Sequence, residues 1–383
     1  MRAAGFSRFR DADPGRLHFA AHSHHPWPDA TENAHAQYWA DSARLADRKW
    51  DKVFGEVVPA AQGHVARLIG LPDPRQVAFA PNTHEFVSRL YSCFEGQGRI
   101  AVLATGAEFH SFRRQSRRLQ EAGRIELVEV APEPFDTFEE RFIRTLRSRA
   151  WDMVWLSHVF FDSGYVVQDL AAIASAAPKD ALVCIDGYHA FCALPVDVSA
   201  IADRVFYLAG GYKYAMSGEG ACWLAVPRGC ELRPVDTGWY ASFESLAAPP
   251  GGPVPYSDGG MRFWGATFDP SGLYRFNAAM DWLVSSAITI ADVHRHAVAL
   301  QKHFLDGLAR LGLDAWRLVP PLGMPRGNFL AFDVDRAEDK HARITAEHVV
   351  IDRRDRRLRF GFGIYQDEHD VRLLLEALAR ALR

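Results

Sequence analysis

Residues 183–190 read Val-Cys-Ile-Asp-Gly-Tyr-His-Ala, and residues 209–214 read Ala-Gly-Gly-Tyr-Lys-Tyr. Each stretch follows or contains a short apolar run and stops on a charged residue, Asp186 in the first and Lys213 in the second. Short apolar runs bounded by glycine read as buried strands. An acid ending such a strand costs free energy unless something cationic meets it. Burial lowers the pKa of an amine, and a neutral amine is the form that condenses with an aldehyde. The blander readings are that Asp186 caps a helix and that Lys213 is a surface lysine in a turn. The interval between the two leaves room for one further strand, which would bring both side chains to the same rim of a sheet.

The chain around these motifs alternates. β-like runs are expected at 77–80, 100–104, 125–130, 153–157, 182–186, 204–208 and 221–226. Helices are expected at 85–94, 111–122, 137–148 and 170–176. Strands alternating with helices imply an α/β fold with a mostly parallel central sheet covered on both faces. Ligands then sit beyond the carboxyl ends of the strands. That rule singles out Asn82, Thr83 and His84, where a hydroxyl and free backbone N–H groups at a helix start can hold an anion. It also singles out Phe109 or His110 as rings able to stack on a planar group, and His189 beside Asp186. Before this region a helical stretch is expected from about 30 to 68, interrupted near Pro59. After it, residues 246–260 read as a loop by composition. A long helix is expected over 271–308, then strands near 328–334 and 358–361 and a final helix, forming a smaller α+β domain.

Composition bounds the function. The chain has 383 residues, 48% of them hydrophobic, and a formal net charge of −3. That is enough apolar content for a large core, and the charge balance asks for neither nucleic acid nor a membrane surface as partner. Arg113, Arg114, Arg117 and Arg118 read as one solvated helix face. The five cysteines are scattered with no C-x-x-C, which points to reduced thiols and a cytoplasmic location. No apolar leader or membrane span is expected. The adjacent His22, His24 and His25 raise a metal-dependent hydrolase as an alternative, although neighbouring histidines seldom face one ion and no H-E-x-x-H accompanies them.

The pair D-G-Y-H-A and G-G-Y-K-Y-x-x-x-G-x-G resembles the class V aminotransferase superfamily, and within it the chain looks most like the kynureninases. The likeness extends to 18–28, to Val235-Asp236-Thr237-Gly238-Trp239 and to Leu358-Arg359-Phe360-Gly361. It implies the PLP-dependent transferase fold (fold type I), with pyridoxal 5'-phosphate (PLP) as a Schiff base on Lys213 and Asp186 against the ring nitrogen. It further implies that Thr83, Tyr212 and Trp239 hold the phosphate, with Asn82 and His84 beside them, that Phe109 stacks on the ring, and that His189 lies under or beside the cofactor. His22, Ser23 and Arg359 would line the substrate, with Arg359 on its carboxylate. Thr267 would contact phosphate across a dimer interface. The chain departs from the kynureninases at His22, where they favour Asn, and at Ser42, Ala43 and Arg44, where a histidine is expected. Against a cysteine desulfurase, residues 260–383 contain no cysteine.

The resemblance divides the chain into 1–50, an N-terminal segment joining the small domain; 51–270, a large PLP-binding domain; and 271–383, a C-terminal small domain. It implies a PLP-dependent enzyme that forms an external aldimine with a small α-amino acid. Kynureninase-like hydrolysis of a Cβ–Cγ bond is favoured, with transamination, β-elimination or racemisation left open. A homodimer with shared active sites is expected. No resident metal is expected.

Overall fold

The computed structural model describes residues 4–245, 251–313 and 316–383. Its strands in chain order are β1 (Leu17–His18), β2 (Val77–Ala80), β3 (Ile100–Thr105), β4 (Ile125–Val130), β5 (Met153–Ser157), β6 (Leu182–Asp186), β7 (Phe206–Gly210), β8 (Cys222–Ala225), β9 (Arg317–Val319), β10 (Phe329–Asp333), β11 (Val349–Val350), β12 (Asp352–Arg354) and β13 (Arg357–Gly361).

Seven strands form the central sheet in the order β2-β8-β7-β6-β5-β3-β4. Every pairing is parallel except the two made by β8. Strands β2, β5, β6, β7 and β8 are buried at every position. Such burial is expected of a sheet whose crossover helices cover both faces, and it explains the near-continuous apolar runs in the sequence. Trp155, Tyr207 and Trp223 are fully buried in it, with Phe112 stacked on Trp155 at 4.5 Å. Asp186 and Lys213 follow neighbouring parallel strands, β6 and β7, so both lie on one rim.

Some boundaries shift. β7 begins at Phe206, two residues later than expected, because Arg204 and Val205 close a turn onto Ile201. The helical stretch from Ala30 breaks at Ala46, whose φ is 48°, and passes through a π-helical turn at Val53–Val57 before Val58–Ile69. Pro59 accounts for that turn: it lacks an N–H and its ring crowds the carbonyl four residues back. The expected long helix over 271–308 is two helices, Ser271–Ser285 and Ile290–Arg310. Thr289 and Asp292 form a reciprocal capping box that starts the second one afresh. Of the expected loop at 246–260, residues 246–250 lie outside the described residues. Positions 251–258 have no regular structure, and a short 3-10 turn begins at Gly259.

A second antiparallel sheet, β12-β13-β10-β9, packs with the helix Glu368–Ala381 around a separate apolar cluster that includes Phe304, Leu330, Leu358 and Phe360. The N-terminal segment joins it: β1 pairs with β11, and the Gly361 N–H donates to the carbonyl of Phe19 at 2.7 Å. Among the described residues, no helix is long and apolar enough to cross a membrane.

Candidate functional site

The carboxyl ends of five strands converge on one narrow cavity of about 60 Å³. β2 delivers Asn82 and Thr83, β3 delivers Phe109, β5 ends on Ser157, β6 on Asp186, and β7 leads into Tyr212 and Lys213. The convergence follows from the mostly parallel sheet, whose strands other than β8 present their carboxyl ends on the same side.

The double glycine before Lys213 has a steric cause. A Cβ on Gly210 would collide with the phenol of Tyr188, and one on Gly211 with the Ser217 hydroxyl and the Gly218 carbonyl. Without side chains there, the turn can tuck under Tyr188 and carry the lysine inward. Lys213 is only 4% exposed. Its Nζ lies 2.8 Å from His189 Nε2, 4.7 Å from the Tyr188 ring centroid and 5.1 Å from that of Phe109. Burial lowers its pKa to about 7. Asp186 pulls against that shift, and the positive charges of Arg359 and Arg354 add to it. Lys213 is therefore no surface lysine.

Asp186 is raised above the ordinary carboxylate value by burial, opposed by the Tyr188 N–H and the charge of Lys213. Its Oδ1 accepts the Tyr188 N–H at 2.9 Å. That bond closes a turn, and no helix starts here, so the cap reading of Asp186 fails. Burial holds the His189 ring neutral, with Lys213 and Arg359 acting in the same direction. Its Nδ1 is buried without a hydrogen-bond partner.

Two further groups belong to this site. Glu108 is buried and accepts the Thr105 hydroxyl at 2.5 Å, the Ser157 hydroxyl at 2.7 Å and the Ser157 N–H at 3.0 Å. Burial pushes its pKa up to about 8 against those bonds, and the neighbouring Asp186 charge adds to the rise. Tyr188 packs over the lysine. The only signals for Glu108 in the sequence were its place just after a strand and the apolar residues around it.

The other expected residues fall into two groups. His22 and Arg359 flank the cavity without lining it. His22 is stacked on Phe329 at 4.6 Å, and Phe329 lies 5.5 Å from the His189 ring. Arg359 is 2% exposed between Phe161 and Phe329. The rest lie elsewhere. Ser23 opens onto a different pocket with Asp352. His84 is exposed in a basic groove with His110 and Arg113. Trp239, 44% exposed, stacks on Tyr240 at 4.2 Å, and the exposed Thr267 meets the Tyr240 hydroxyl. Trp239 opens a short 3-10 stretch and Thr267 lies in a loop, and neither lines the cavity. Arg357, two residues before Arg359 on β13, is held by Glu133, Asp162 and Asp333 at 2.7–3.0 Å.

The three adjacent histidines face separate surroundings. His22 stacks on Phe329, His24 stacks on Tyr212, and His25 packs edge-on against Tyr365. Among the described residues no cluster of His, Cys, Asp or Glu is arranged to hold a metal ion. The geometry thus speaks against the hydrolase alternative. The donor set of the cavity is of another kind: a buried low-pKa amine, a carboxylate, aromatic rings, and a hydroxyl at the start of the helix Thr83–Ser92. It fits an aldehyde-bearing aromatic cofactor with an anionic tail.

The family model described as Aminotransferase class-V matches residues 21–374. No curated protein matches the chain in sequence. Among solved structures, the chain is similar to a cysteine desulfurase from Thermococcus onnurineus NA1, with TM-score 0.79 and 15% identity over 99% of both chains. It is similar to the cysteine desulfurase CsdA from Escherichia coli, with TM-score 0.78 and 18% identity over 100% of this chain and 99% of that one. It is also similar to a C-DES variant with glycine covalently linked to its PLP cofactor, with TM-score 0.81 and 17% identity over 97% and 98%. The fold is fold type I, as the sequence implied.

The lowered amine pKa gives a signed prediction. Borohydride trapping of PLP on the apo protein should rise with pH through about 7, because the neutral amine predominates above that value. The Lys213→Ala variant should trap none. A wild-type profile that rises only near the ordinary lysine value of about 10 would mean an exposed amine.

Proposed function

The chain belongs to the class-V aminotransferase family of PLP-dependent enzymes, and from that premise we propose that it breaks a bond at the β-carbon of a small α-amino acid. The buried Lys213 amine, 2.8 Å from His189 on the same rim as Asp186, carries this reading. When bound, PLP supplies an aldehyde for the substrate amine and a ring that accepts the electron pair left at the α-carbon. Lys213 would anchor the cofactor, and its Nζ would hold the α-proton. His189 Nε2 lies within reach to hold or return that proton. Asp186 would face the ring nitrogen and favour its protonated form, and Phe109 would pack on the ring. Asn82, Thr83 and Tyr212 would hold the phosphate. Tyr188, Phe109 and Phe161 keep water from the amine. His22 and Arg359 address the substrate carboxylate.

Asp186→Asn should retain PLP and lose most turnover, by roughly two decades or more, because an amide cannot stabilise the protonated ring. Near-normal turnover would leave Asp186 a turn residue only.

The favoured reaction is kynureninase-like hydrolysis of a Cβ–Cγ bond, supported by the likeness of residues 183–190 and 209–214. A second reading, β-elimination at a C–S bond, draws support from the similar fold of a protein described as the cystine C–S lyase C-DES. Residues 260–383 contain no cysteine, which disfavours a persulfide-carrying desulfurase. The holoenzyme given L-kynurenine should release fluorescent anthranilate. Pyruvate from cystine, with no anthranilate, would move the assignment to the lyase.

We also propose a homodimer. Trp239 and Phe243, 44% and 47% exposed, make an apolar surface beside Thr267, and an isologous contact there would bring both expected phosphate residues to the neighbouring site. Sedimentation should give twice the 42.9 kDa chain mass; a fully active monomer would rule the shared site out. The division into 1–50, 51–270 and 271–383 is kept as part of this proposal; the separate apolar cluster of Phe19 and residues 297–381 supports a small domain, while Leu273 to Leu283 pack in the larger cluster. So is a cytoplasmic location, with support from five cysteines free of disulfides.

A further inference from the structure

The arginine assigned to the substrate carboxylate already holds a carboxylate. The two terminal nitrogens of Arg359 donate to Asp352 and to the carbonyl of Phe161. Its Nε is buried without a hydrogen-bond partner. A guanidinium recognises a carboxylate best through two parallel N–H bonds, and the contact with Asp352 takes up that capacity.

Asp352 is not locked in place as the acids around Arg357 are. There, three carboxylates gather around Arg357, and Arg317 and Arg356 hold Asp333 from further sides. Here, one carboxylate is shared between two arginines and a histidine. Besides Arg359, Asp352 lies 3.4 Å from Arg354 and 3.8 Å from His22 Nε2. The Nε of Arg354 is also buried and unpartnered, and both His22 ring nitrogens lack a hydrogen bond. On its other side Asp352 borders the open pocket that Ser23 and Arg353 line. The carboxylate therefore has a second cation and open space to move toward. The two arginines and Asp352 together carry one positive charge in excess, which a single added carboxylate neutralises.

We propose that Asp352 is an internal competitor for Arg359, so that an incoming α-carboxylate takes the guanidinium only when Asp352 leaves it for Arg354. This rests on the reading that Arg359 receives the substrate carboxylate. Asp352 then sets how tightly a carboxylate must bind to be admitted, and it keeps Arg359 neutralised and in position while no substrate is present. A tethered carboxylate competes at high effective concentration, so its removal acts on binding and leaves the chemical step alone.

The test uses holoenzyme, with glycine as the carboxylate-bearing probe and methylamine as the carboxylate-free one, both read by the change in cofactor absorbance. Asp352→Asn and Asp352→Ser should lower the half-saturating glycine concentration roughly tenfold, about the strength of one modest charge-assisted hydrogen bond. Methylamine should be unaffected, and with a turned-over substrate KM should fall while kcat holds. Adding Arg359→Lys should remove the gain. An unchanged or raised glycine half-saturation would overturn the proposal by making Asp352 only the holder of Arg359. Loss of cofactor absorbance from both variants would do the same, as would a gain that survives Arg359→Lys. If Arg359→Lys alone leaves glycine binding unchanged, the carboxylate reading itself falls, and the two failures stay distinct.

Discussion

Desolvation of one amine is the constraint from which the rest of the site follows. Lys213 cannot stay protonated at low cost inside the cavity, and its hydrogen-bond partner is an imidazole that burial also keeps neutral. The opposing attraction of Asp186 limits the shift and leaves the amine near neutrality. Each element of the sheet serves that balance. Gly210 and Gly211 let the turn pass beneath Tyr188, the parallel β6 and β7 set Asp186 and Lys213 on one rim, and Phe109 and Tyr188 shut out water. A polar residue in place of either ring would rehydrate the amine and raise its pKa toward that of free lysine.

A second balance surrounds the first. Positive charge from Arg359 and Arg354 reaches Lys213, His189 and His22 and helps to keep all three neutral. The arginines belong to β12 and β13 of the smaller sheet, so the electrostatics of the cavity depend on how that sheet docks. Arg357 fixes the docking by joining Asp333 of its own sheet to Glu133 and Asp162 of the larger unit. An ion cluster of three acids and three arginines, Arg317 and Arg356 among them, suits a joint, because its charges are balanced. The pair of arginines at Asp352 has a positive excess and suits a binding position.

Much of this was legible in the sequence because the relevant signals are local. An apolar run ending on Asp or Lys and a double glycine before Lys213 report strand, turn and burial in a few residues each. Asn82, Thr83, Phe109, Asp186, His189 and Lys213 were found that way, Tyr212 through the family likeness, and the structure gathers them in one cavity. What stayed hidden depends on contacts between distant segments. Glu108 matters through Ser157, 49 residues on. Arg357 matters through three acids that lie in other segments. Ser23, His84, Trp239 and Thr267 came from family likeness or from adjacency to a motif, and neither reports where a loop turns its side chains. The break between Ser285 and Ile290 was missed for another reason: the apolar pattern continues across it, and only the capping pair Thr289 and Asp292 marks the restart.

The parallel pairing of Leu17–His18 with Val349–Val350 has a consequence for biogenesis. The first strand leaves the ribosome about 330 residues before its partner, on the order of tens of seconds at usual elongation rates. Until then Phe19 and the histidines after it have no sheet to join. The central sheet can close once β8 is made, before the smaller sheet exists. Pairing over so long a separation is also slow after release. Docking of the N-terminal strand, which brings His22 to Phe329, therefore comes late in maturation. A chain stalled before residue 349 would carry the lysine of the large sheet with neither β12 nor β13 beside it.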